Sequence, residues 1–189
     1  MTTRSATQEQ VLPEKISWET FQNEYLARED NYKYEWVNGQ VEKTERSMDR
    51  TQLFISRNLT QFLYRLKAIN PSVNGELIAE GDVFFAGNHR HPDIAYFTDE
   101  QIDAARYNAD IHPDFVIEVI SKNDQLERVA EKMENYRKAE VEVVWHVFPT
   151  RNEVHVYRGK QMMVCTGEDL CSAEPVIPGF VISVNEIFR

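Results

Sequence analysis

Near its start, the chain changes from a helix-like to a strand-like spacing of hydrophobic residues. Ser17 is placed to cap a short helix, because intervals of three and four separate the apolar residues Trp18, Phe21 and Tyr25, and apolar Leu26 follows. Further on, Asn38-Gly39 lies between two short β-prone runs, which is the strongest short-range signal for a hairpin. The pattern therefore predicts an N-terminal helix followed by a β-hairpin.

The next segment predicts a long helix and then extended chain. From Asp49 to Asn70 the apolar residues follow a helical register, and Pro71 comes after its end: Leu53, Phe54, Leu59, Phe62, Leu63 and Leu66. Two extended stretches follow, 75–86 and 92–97, with the turn-prone Gly87-Asn88 between them. We therefore expect a long helix that packs on a sheet.

The run HPDFVIEVIS, residues 112–121, predicts a strand with two apolar faces, as in the centre of a sheet covered on both sides. SKND, residues 121–124, resembles a capping box and predicts a helix to about Lys138. The apolar stripe of this helix consists of Leu126, Val129, Ala130, Met133 and Tyr136. A buried strand at 141–148 and an outer strand at 152–159 come next.

This order of elements predicts an α/β (α+β) fold, in which helices flank a mixed central sheet. We expect a flexible tail over residues 1–14 and a single domain over residues 15–189, because the sequence has no internal repeat and no linker.

Composition narrows the choice of function. The formal net charge of -10 and a pI near 5.0 argue against a protein that coats nucleic acid non-specifically. A bound metal ion and a local basic path would still allow a phosphate substrate. We expect a soluble, cytoplasmic protein, because the chain has no signal peptide and no run of about 18 apolar residues. Cys165 and Cys171 fit reduced thiols better than a disulfide scaffold.

Glu118 is the most informative residue for chemistry. A carboxylate in the middle of a buried strand costs several kcal/mol unless a cation or a donor compensates it. Asp93 begins another predicted strand, directly after Pro92. If two strands of one sheet hold both carboxylates over a common point, their oxygens suit Mg²⁺ or Mn²⁺.

The ordered set HPDIAYF, FVIEVIS and EKMENYRKAEVEVVWHVFP resembles the Uma-type restriction endonuclease family, a bacterial branch of the PD-(D/E)XK nuclease superfamily. YEWVNGQV and EPVIPGFVISVNEIF resemble flanking segments of the same family, so that the likeness covers roughly residues 17–189. It implies a restriction-endonuclease-like core, a metal-dependent endonuclease acting on DNA, and a homodimer.

By this resemblance, Asp93 and Glu118 are the two metal-binding acids of the motif, and Glu35 is an acid that completes the metal shell directly or through water. The motif lysine is missing, since Ile120 stands two residues beyond Glu118. The resemblance places the lysine on the following helix, where Lys132 flanks the apolar stripe. Lys122 is the competing residue, but we expect it to face solvent.

Other interpretations stay open. His89, His91 and Asp93 alternate in sequence, which allows a zinc site, although histidines beside a turn are usually solvated. His146 and His155 are expected to be packing or surface residues. The acidic charge is also compatible with an inert nuclease-fold binding module, or with a phosphodiesterase that acts on a smaller substrate.

Overall fold

The computed structural model describes residues 10, 11, 14–45, 50–85, 87–107, 111–122 and 124–189, with the backbone alone at 10, 11, 45 and 85. The strands in these ranges are β1 (Gln10–Val11), β2 (Tyr32–Val37), β3 (Gln40–Glu45), β4 (Gly75–Ala79), β5 (Val83–Phe85), β6 (Asn88–Arg90), β7 (Ile94–Thr98), β8 (Phe115–Val119), β9 (Val143–Phe148), β10 (Glu153–Arg158), β11 (Gln161–Thr166), β12 (Leu170–Ser172) and β13 (Val181–Ser183). The helices are α1 (Trp18–Phe21), α2 (Arg50–Ile69), α3 (Asp99–Ala105), α4 (Leu126–Lys138) and α5 (Val184–Ile187).

The central sheet has the strand order β11-β10-β9-β8-β7-β4. Its pairs are antiparallel apart from β8 and β9, which run parallel, so the prediction of a mixed sheet is confirmed. All five residues of β8 are buried, as its apolar pattern predicts for a central strand. The strand at 153–158 is not the outermost, because β11 pairs with its other edge.

Helices cover both faces of this sheet. On one face, Ile55, Leu59 and Leu63 of α2 pack with Phe115, Ile117 and Trp145 of the sheet. On the other face, Met133 and Tyr136 of α4 pack with Ala95, Val116 and Val144. The expected arrangement of helices on either side of a mixed sheet is therefore confirmed.

A second sheet, which the sequence pattern did not predict, has the order β1-β3-β2-β6-β5. Its β2–β3 hairpin turns at Asn38 (φ 51°) and Gly39 (φ 85°), as predicted, because a tight two-residue turn of this kind needs positive φ at both positions. Ser17 caps α1 through its side chain, which accepts from the Thr20 N–H, and a π-helical turn, Gln22–Leu26, continues the helix. Phe21 of α1 packs on Tyr34 and Val41 of the hairpin.

The predicted tail lies outside the described residues apart from Gln10, Val11 and Glu14, and the first two form β1 against β3. Asp49, the predicted start of the long helix, also lies outside them. Asn88, predicted to be in a turn, belongs to strand β6. Cys165 and Cys171 are free and buried, as expected.

Two helix predictions need correction. Leu53 and Phe54 are exposed, because at about 100° per residue they lie off the face that carries Ile55, Leu59 and Leu63. The 121–124 motif does not open a helix: the Ser121 N–H donates to Asp124 Oδ2 at 2.6 Å within a turn, and α4 begins at Leu126, whose side chain is exposed.

The longest described helix, α2, has a polar side, and none of the described helices is apolar over a length that could cross a bilayer.

Candidate active site

Polar residues form a row across one face of the central sheet. Extending the β7–β8 register by one residue beyond Ile94 and Ile117 places Asp93 opposite Glu118. Residues directly opposite each other in a ladder point to the same face. By the same reasoning the row is Asp93, Glu118, His146 and His155. This face lies under α4, so the two predicted acids are neighbours on one side of the sheet.

Asp93 is held between main chain and a lysine. Its Oδ2 accepts from the Val119 N–H at 2.7 Å, and its Oδ1 lies 3.9 Å from Lys33 Nζ. Burial, and then the charge of Glu118, raise the pKa of the Asp93 carboxyl to about 7. The pKa of Asp93 thus reflects the negative charge of its neighbour across the ladder.

Glu118 receives donors from the helix above it. The Tyr136 hydroxyl donates to Glu118 Oε1, and Lys132 Nζ lies 3.4 Å from Glu118 Oε2. Burial, together with the charge of Glu118 and this hydrogen bond, raises the pKa of the Tyr136 hydroxyl well above its usual value. The compensation that a buried carboxylate requires thus comes from α4.

Lys132 also contacts Glu35, at 3.8 Å from its Oε1. Burial alone would lower the pKa of Lys132, but the charges of Glu118 and Glu35 hold it above its usual range. The Lys132 side chain is 18% exposed. Its ammonium group therefore lies beside the acids at a position that solvent can also reach.

Glu35 is buried on strand β2 and has several donors. The His91 N–H donates to its Oε1 at 2.7 Å, and Arg90 Nη1 lies 3.2 Å from its Oε2. Although burial raises it, the pKa of Glu35 is held below its usual range by Lys132 and Arg90. These contacts anchor Lys132 and join the second sheet to the central one.

Lys33 is a residue of this cluster that the sequence interpretation missed. Its Nζ lies 3.3 Å from Glu80 Oε2, in addition to its contact with Asp93, and 3.4 Å from the His91 carbonyl oxygen. Alternation along a strand places Lys33 on the same face as Glu35, so the signal was present in the sequence. The position of Tyr136 was also indicated by the sequence, because a residue four positions after Lys132 lies on the same face of a helix. Nothing in the sequence indicated Arg90, because hydrophobic periodicity does not mark a buried arginine.

At the position where the motif lysine is missing, Ile120 follows directly after β8 and its N–H donates to the Val147 carbonyl at 2.8 Å. Lys122 is exposed, as expected. Of the two candidate lysines, Lys132 is the one that reaches the acids.

The structure corrects the zinc grouping. His89 and His91 are buried rather than solvated, and the carboxylate beside them is that of Asp82 rather than Asp93. Among the described residues, these three form a group whose ligand atoms could hold a metal ion. His146 packs as expected and is buried, which lowers its pKa to about 4.

The acid pair suits a divalent ion by its chemistry. Both acids offer hard carboxylate oxygens, and their mutual repulsion, visible in the raised pKa of Asp93, would be relieved by a cation between them. The carboxylates of Asp93 and Glu118 could thus hold a divalent ion that prefers oxygen ligands.

The mixed sheet between helices has a match among solved structures. A solved structure titled a "putative nuclease belonging to DUF820" from Anabaena variabilis superposes with a TM-score of 0.70 at 20% identity. The match covers 88% of this chain and 96% of that one.

The chain belongs to the Uma2 family, described as "Putative restriction endonuclease", whose model matches residues 18–185. The comparison with curated proteins gave no match. Family and fold together support a nuclease-like function.

Proposed function

We propose that the protein is a metal-dependent endonuclease that hydrolyses phosphodiester bonds of DNA. The observation that carries this proposal is the pairing of Asp93 with Glu118 across β7 and β8, with Lys132 at 3.4 Å from Glu118. A Mg²⁺ or Mn²⁺ ion held by the two acids would lower the pKa of a bound water and offset charge on the phosphate.

The chain's own residues divide the remaining work. Lys132 orients the attacking water or stabilises the charge that grows on the phosphate oxygens. Glu35 is a positioning residue, because its contacts with Arg90 and the His91 N–H leave it fixed beside Lys132. Water attacks phosphorus and gives up a proton to solvent, the bond to the leaving oxygen breaks, and that oxygen takes a proton from solvent, so no covalent intermediate is required.

A second candidate is a phosphodiesterase with a smaller substrate, which the net charge of -10 favours because long DNA is repelled by acidic surfaces. The test compares plasmid DNA, single-stranded DNA and a nitrophenyl phosphodiester with Mg²⁺ or Mn²⁺. Cleavage of plasmid supports the endonuclease, and cleavage of the nitrophenyl ester alone supports the smaller substrate.

An inert nuclease-fold module is separated from an enzyme by calorimetric titration with Mn²⁺. Binding that is lost in Asp93→Asn and Glu118→Gln supports the proposed site. Glu153→Gln is the matched control, since Glu153 bonds His155 on β10 at 2.6 Å, apart from the acid pair. Absence of binding by the unaltered chain favours the inert module. On the family resemblance we also expect a homodimer.

A further inference from the structure

Three side chains of the metal-ligand type share one face of the β5–β6 hairpin. The register pairs Phe84 with His89 and Val83 with Arg90. One step further along the ladder, Asp82 stands opposite His91, on the same face as His89. The group is thus built by strand pairing.

The ligand atoms converge. His89 Nε2 lies 2.8 Å and His91 Nε2 lies 3.2 Å from the same oxygen, Asp82 Oδ1. All three ligand atoms lie within 4.8 Å of one another. A tetrahedral Zn²⁺ ion with ligands at about 2.0–2.2 Å separates neighbouring ligand atoms by roughly 3.3 Å, so small side-chain shifts would admit it.

The imidazoles are fixed in place by packing. The ring of His89 lies 5.2 Å from that of Phe21 and 5.9 Å from that of Trp18. It meets the His91 ring edge-on at 4.8 Å. Its Nδ1 is buried with no hydrogen-bond partner among the described residues, so Nε2 is the nitrogen that His89 presents to a ligand.

Asp82 makes the site accessible to an ion from solvent. The Asp82 side chain is 64% exposed, in contrast to the buried histidines, so an ion can enter from solvent and keep a water as its fourth ligand. We propose that Asp82, His89 and His91 bind a late first-row divalent ion of the Zn²⁺ type. Two imidazoles and one carboxylate favour such an ion over Mg²⁺, which prefers oxygen ligands.

The position of this site gives it a structural role. His91 lies two residues before Asp93, and its main chain bonds both Glu35 and Lys33. An ion on the His91 ring would fix the segment that leads to Asp93. The site itself does not depend on nuclease activity, since none of its ligands belongs to the acid pair.

The test uses the metal-stripped full chain and Co²⁺, whose visible absorption is intense in a tetrahedral site, followed by displacement with Zn²⁺. We expect one equivalent of tetrahedral Co²⁺ per chain, and affinity at least about tenfold weaker in Asp82→Asn and His91→Gln. His155→Gln is the matched control, because His155 also bonds a carboxylate, and it should bind as the unaltered chain does. Asp93→Asn should also retain the Co²⁺ spectrum, which separates this site from the acid pair.

Absence of the tetrahedral spectrum, or equal affinity in Asp82→Asn, would overturn the proposal. Asp82→Asn decides the matter if His91→Gln does not fold, because the exposed Asp82 side chain can be changed without opening the core.

Discussion

Glu118 lies at 4% exposure on a strand that is buried on both faces, and its two oxygens meet a hydroxyl and an ammonium from α4. The cost of burying this charge predicted a compensating group, and the family resemblance, supported by the helical position, indicated Lys132. Tyr136 supplies the second donor. The helix that covers the sheet is therefore also the source of the cation absent at Ile120.

Replacing Lys132 with methionine should lower cleavage by about a hundredfold or more, because it removes a cation aimed at the reacting phosphate. It should also destabilise the fold by roughly 3–5 kcal/mol, since Glu118 and Glu35 lose a buried partner. Cleavage rates and urea unfolding measure the two effects. The control is Lys122→Met, because Lys122 is exposed and follows the end of β8, and it should change neither the cleavage rate nor the stability. Cleavage retained in Lys132→Met would contradict the role of Lys132.

Asp93 makes the metal-free protein sensitive to pH. Its folded pKa of about 7 exceeds the ordinary 3.8, so between these values the unfolded chain loses a proton that the folded chain keeps. Stability should therefore fall as pH rises from about 4 to about 7, by roughly 1.4 kcal/mol per unit, and level off above. Urea unfolding with a chelator present measures this fall. Asp93→Asn should lack it, and parallel curves for the two proteins would show that Asp93 is not the group responsible.

At the scale of elements, the strand β2 joins the second sheet to the site. Its Glu35 and the Glu42 of β3 share the buried Arg90 of β6, at 3.2 and 2.7 Å from Nη1. Three strands of the second sheet thus meet at one guanidinium, which is why this sheet can hold Glu35 against Lys132.

Arg90→Met should destabilise the protein by roughly 3–5 kcal/mol, because two buried carboxylates lose a shared partner. Arg106→Met is the control, since Arg106 lies at 78% exposure in a pair with Asp103, and it should cost less than about 1 kcal/mol. Chemical denaturation measures both. Equal costs would mean that the buried cluster contributes no more than a surface pair.

Elements with a clear period were predictable, and those fixed by tertiary contacts were not. The Asn38-Gly39 hairpin and the strand around Glu118 follow local rules of turn geometry and burial. The stripe of α2 was misassigned at Leu53 and Phe54 because apolar character alone does not reveal which side of a helix meets the sheet. Strand β6 is three residues long and polar, so its place in a sheet depends on pairing with β2 and β5 rather than on its own sequence.

For the whole molecule, the layered fold followed from the order of periodic segments, whereas the second sheet depends on long-range pairing that periodicity does not encode. The acid pair could be located from the sequence because Asp93 begins one predicted strand and Glu118 lies within another. That the two acids share one face of the sheet could not be predicted, because it depends on the β7–β8 register. The Asp82, His89 and His91 group was hidden for the same reason, because strand pairing brings Asp82 to the histidines.

The acidic charge of the whole chain makes substrate access the point on which the endonuclease proposal most depends. The net charge of -10 opposes the approach of DNA, and the described cations that contact the acid pair are Lys132 and Lys33.

The nicking of supercoiled plasmid by the full chain with Mn²⁺, measured beside Glu118→Gln and Glu153→Gln, tests the proposed endonuclease site. We expect nicked plasmid with the unaltered chain and with Glu153→Gln, and none with Glu118→Gln or with a chelator. Intact plasmid in every reaction, or equal nicking by Glu118→Gln, would contradict this proposal.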